Sequence, residues 1–117
     1  MEVRLAIFIL ADELWPGNGW HRDRLVAAIV GGPESLREFY AQEGDSPSSG
    51  FQPAQGQAIK LIAKALEGDQ DAEGQVVTLA EGISGARMAG ALTVTWDCRD
   101  LRPENMVAFA ARKVPGQ

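Results

Sequence analysis

From Ala91 to Cys98 the chain reads ALTVTWDC, with Leu92, Val94, Trp96 and Cys98 alternating against Thr93, Thr95 and Asp97. A period of two marks a half-buried strand, and no other stretch of the chain is so regular. The polar turn RDLRPEN follows, then MVAFAARKV, where Val107, Phe109 and Ala111 alternate with Ala108, Ala110 and Arg112. Pro103 would also suit the first position of a short helix. Two alternating runs across one turn predict an antiparallel C-terminal hairpin. A hairpin alone is marginal in water, so it needs further strands or a layer of helices on its apolar face.

Upstream segments supply candidate helices. Leu25, Val26, Ile29 and Val30 share a face in a segment running from Arg22 to Val30, and Gly31-Gly32 stops it. Pro33 then fits a first helical position, with Glu34 favoured by the helix dipole. This second helix carries Leu36, Phe39 and Tyr40 and ends near Gly44. After the loop DSPSSG a third helix runs from about Pro53 to Glu67. Its apolar face is Ala58, Leu61, Ile62, Ala65 and Leu66, with Lys60, Lys64 and Glu67 opposite and Gly68 as the residue past its end.

Two segments are harder to read. Leu5 to Ala11 is an apolar run too short for periodicity to separate strand from helix. The strand reading places Val3, Leu5, Ile7, Ile9 and Ala11 on one side, and it is preferred. QVVTLAE is β-rich, and the glycine-rich GISGARMAG after it reads as a hairpin turn or bulge. The expected architecture is α+β, in one domain over residues 1–117. About three helices pack on one face of a three- to four-stranded, mainly antiparallel sheet, with the C-terminal hairpin and an N-terminal strand.

Composition removes several chemistries. One cysteine and one histidine leave no disulfide, no cysteine-rich zinc site and no multi-histidine metal site. Eleven bases against sixteen acids, net −5, give phosphate nothing global to be drawn to, so nucleic acid is not the expected partner. No apolar run approaches the roughly 20 residues that span a bilayer, and the start lacks the layout of a signal peptide. A cytoplasmic protein is expected, as a monomer or homodimer.

Local motifs are incomplete. Gly82-Ile83-Ser84-Gly85-Ala86 misses the hydrolase elbow at its last position, and His21 precedes the serine. Gly82, Gly85 and Gly90 do not have dinucleotide-loop spacing. Asp69, Asp71 and Glu73 alternate like the start of a calcium loop, but the twelfth position is Ala80. Two helices around Gly31-Gly32 resemble a helix-turn-helix only superficially, because Glu34 and Glu38 would face phosphate. Cys98 lies on the core side of its strand, where a thiol is a small hydrophobe. Asp12, Glu13 and Asp97 fall at expected strand ends, with nothing to pair them. No catalytic set, metal site or cofactor is expected.

What remains points to protein binding. Trp15 and Trp20 bracket a tight turn in WPGNGWH, and such aromatics are common at binding hot spots. Residues 38–86 carry eight acids against only Lys60 and Lys64, an imbalance able to steer a basic partner. The expected function is a small non-enzymatic interaction domain of the inhibitor, immunity or adaptor type. Its partner-binding residues would be Trp15, Trp20, His21, Glu67, Asp69, Asp71 and Glu73. Chains of this size and composition are common among phage and mobile-element proteins. The alternative is a small-molecule binder or minor enzyme, with a pocket between sheet and helices lined by Met88, Trp96, Asp97, Cys98 and Phe109.

Overall fold

The computed structural model describes residues 1–14, 19–41, 53–96 and 101–110. Its element order is α1 (Val3–Leu14), α2 (Gly19–Gly31), α3 (Pro33–Phe39), α4 (Pro53–Leu66), α5 (Gln70–Met88), β1 (Ala91–Trp96), a 3-10 turn (Pro103–Asn105) and β2 (Met106–Ala110). Among the described residues the fold is therefore five helices with one two-stranded antiparallel sheet. The expected three helices on a three- or four-stranded sheet are not what the chain forms. The helices bury most of their apolar surface against one another, and the hairpin lies on them through Val94 and Trp96 of β1 and Met106 of β2.

The N-terminal run is the first correction. As a strand it would put Leu5 and Ile7 on the same face, yet Leu5 is 54 % exposed and Ile7 is buried. As α1 it buries Ala6, Ile7, Leu10 and Ala11, with Val3, Phe8 and Ile9 half-buried around them. The helix looks uniformly apolar because it packs against α5, α2 and α4 together.

The second correction is α5, which absorbs both the β-rich run and the glycine-rich stretch into one 19-residue helix. Its start is well defined. The N–H of Gly68 donates to Ala65 and that of Asp69 to Lys64, both at 3.1 Å, the paired bonds of a Schellman end to α4. Gly68 takes φ 95°, a left-handed conformation that costs glycine little. Asp69 then caps α5, its carboxylate accepting from the N–H of Ala72 at 3.0 Å. Asp71 and Glu73 occupy the first turn, where the helix dipole favours acids. Ala72, Val76, Leu79, Ala80 and Ile83 are buried at helical spacing. Gly74 and Gly85 face open space, whereas a Cβ on Gly82 would come within 3.2 Å of Met106 Cε.

The remaining helices follow their expected positions with local differences. Pro33 opens α3 at its first position, and Leu36 and Phe39 are buried. In α2, Leu25 and Ile29 are buried, but Val30 is 63 % exposed. In α4, Ala58, Ile62 and Ala65 are buried as expected. Ile59 and Ala63 are buried too, because α4 has α5 on one flank and α3 on the other.

The hairpin matches the sequence reading. β1 pairs with β2 in the register Val94↔Ala108, Thr95↔Val107 and Trp96↔Met106. Val94 is buried, and Trp96 and Met106 rest half-buried on the helical core. Leu92, expected on the same side, is 66 % exposed, because the register shifts between Ala91 and Thr93. Such a bulge re-aims a side chain.

Candidate docking groove

α3 and α4 form an antiparallel helical hairpin. Tyr40, at the end of α3, lies over Gly56, and the Lys60 ammonium sits 5.0 Å from the centre of its ring. At the other end Arg37 pairs with Glu67. Between these ends runs a groove of about 300 Å³ whose floor is Leu36, Ile59 and Ala63. Helical spacing builds it. Leu36 and Tyr40 are one turn apart on α3, as are Ile59 and Ala63 on α4, so their side chains form two parallel ridges.

The rim is charged unevenly. Arg37 is neutralised by Glu67. Lys60 and Lys64 stand one turn apart on α4, exposed, with no carboxylate partner among the described residues. They are the only bases between residues 38 and 86, and both fall on this groove. An acidic chain thus keeps a local excess of positive charge beside an apolar floor.

Two of the four acids of the expected binding loop have structural partners. Glu67 pairs with Arg37 and Asp69 caps α5, while Asp71 is exposed and Glu73 half-buried in the same first turn. Trp15, Asp97 and Cys98 lie outside the described residues. Trp20 and His21 belong to α2 and Phe109 to β2, but their side chains lie outside the described ones. Of the expected pocket residues, Met88 is 90 % exposed at the end of α5. Trp96 rests on the core and donates its indole N–H to the carbonyl of Arg102 at 3.1 Å.

Asp12 and Glu13 do assemble with charged neighbours, at the end of α1 rather than of a strand. Glu13 is only 2 % exposed. One carboxylate oxygen accepts from the Arg87 guanidinium at the end of α5, the other from the backbone N–H of Val94 in β1. Asp12 lies 3.7 Å from Arg87 and 3.1 Å from Arg22 of α2. The hydrogen bond from Arg87 to Glu13 raises the pKa of the guanidinium, burial lowers it, and the charges of Glu13 and Asp12 raise it further. This network fastens α1, α2, α5 and β1 together, and both Glu13 oxygens are occupied by it.

A second, wider cleft of about 680 Å³ opens between α5 and residues 101–104, with Asp71, Gln75, Thr78, Arg102 and Glu104 along its sides. Among the described residues no three His, Cys, Asp or Glu side chains converge as metal ligands. No helix there is long and apolar enough to cross a membrane. Comparison with protein-family models, with curated proteins and with solved structures gave no match.

Sequence reasoning missed Arg37, Tyr40, Lys60 and Lys64 as a group. It placed the two lysines on the polar side of α4 and stopped there. Their isolation in an acidic stretch, each directly after a buried residue (Ile59, Ala63), was the available signal.

Proposed function

We propose that this chain is a small, non-enzymatic protein-interaction domain that docks a partner in the α3–α4 groove. The observation that carries the proposal is the pairing of an apolar floor with two exposed lysines that have no acid partner among the described residues. Such a surface gives a partner complementary charge along a narrow apolar seam. The proposal extends to a cytoplasmic setting and an inhibitor or adaptor role. Asp71 and Glu73, in the first turn of α5, serve as flanking contacts rather than as the centre.

The test is a pull-down with tagged protein from the source lysate at low and moderate salt. Wild type and the double variant Lys60→Glu/Lys64→Glu are compared, both first shown to be folded by circular dichroism. The expected result is one protein captured in stoichiometric amount by wild type, weakened by salt and lost from the variant. Equal capture by both, or a bait that recovers nothing, would overturn the proposal.

A further inference from the structure

We infer that the groove takes an acidic amphipathic helix of the partner protein, with two carboxylates one helical turn apart facing Lys60 and Lys64. This inference rests on the docking role proposed above and adds the chemistry of the occupant. The groove extends from Ile59 to Glu67 along α4, about 12 Å or two turns of helix axis. Its floor is aliphatic and its two walls are helices, the geometry that receives the apolar stripe of a third helix. The lysines are four residues apart on one helix, so their attachment points lie about 6 Å from each other. Acids spaced three or four residues apart on an opposing helix repeat that distance, and the apolar residues between them fall over the seam between α3 and α4, beside the half-buried Tyr40. A small molecule with one carboxylate would meet one lysine and leave the other without a partner. A basic segment is excluded from this place by charge, because Arg37 already holds Glu67.

The experiment is selection from a displayed library of amphipathic helical peptides, roughly 15 residues long so that helix forms readily. Wild type and Lys60→Glu/Lys64→Glu are used as separate baits. Wild type should enrich peptides with acids three or four apart beside an apolar stripe, and the reversed protein should enrich bases at the same spacing. The acidic peptides should bind the reversed protein about tenfold or more weakly. In nuclear magnetic resonance they should shift the amides of α3 and α4. Should the reversed protein fail to fold, Lys60→Gln/Lys64→Gln replaces it, with loss of the acid preference as the expected result. Enriched peptides without acid spacing, shifts centred on the α5 cleft, or saturable binding of a medium-chain fatty acid in the groove with no peptide enriched would each overturn the inference. A stoichiometric partner lost from the charge-reversed variant, together with a library that shows no acid preference, would leave the docking role standing and remove only the acidic helix.

Discussion

Glu13 joins parts of the chain that are far apart in sequence, its two partners lying 74 and 81 residues away. Replacing it with alanine removes both bonds and leaves the buried Val94 N–H without an acceptor. Breaking a buried polar network of this kind costs about 2–4 kcal/mol. Glutamine keeps an acceptor for Val94 and gives up the ion pair, so Glu13→Gln should cost less, about 1–2 kcal/mol. Urea unfolding of the two variants checks the order, and equal stability of wild type and Glu13→Ala would contradict it. Nothing near Glu13 in the sequence marks it as buried, because its partners come from the other end of the chain. Gly68 was legible, since a glycine just past an apolar helical stripe is a local signal. Its left-handed backbone makes Gly68→Ala destabilising by about 1 kcal/mol. Gly74 sits inside α5 with nothing within 4 Å of where a Cβ would go. Gly74→Ala should therefore stabilise by about 0.5–1 kcal/mol through helix propensity alone. Thermal melts of the two alanine variants should move in opposite directions.

At the scale of elements, the hairpin, α3 and α4 were legible because their signals are local: strict alternation, a proline at a helix start, a glycine after a helix end. α1 and α5 were not, for two different reasons. α1 packs against three helices and keeps Leu5 on its open side, so no clear polar face breaks its pattern into a period. In α5 the run Val76-Val77-Thr78 favours strand locally, and Gly74, Gly82 and Gly85 weaken helix locally. Burial of Val76, Leu79, Ala80 and Ile83 against α1, α4 and β1 outweighs those preferences. Helix in α5 thus depends on tertiary packing. A peptide covering residues 69–90 should show little helix by circular dichroism in water, although the same residues are helical in the whole chain. A strongly helical peptide would show that local propensity had been underestimated.

Across the whole molecule, charge was legible and its placement was not. The count of acids and bases marked residues 38–86 as acidic and suggested a basic partner. Folding changes that picture. Glu67 is drawn to Arg37 and Asp69 to the start of α5, while the two lysines are left exposed on one apolar groove. The groove proposed for docking is therefore edged with basic charge, within an acidic chain, and the helix pairing of α3 with α4 creates it. We propose that a partner protein sits in this groove. Site-specific photo-crosslinking in the source cells tests it most directly, with the reactive group placed at position 64 and, as a control, at Gln75 on α5. One discrete protein adduct is expected from position 64 and none from position 75; adducts from position 75 alone, or from neither, would overturn the docking role.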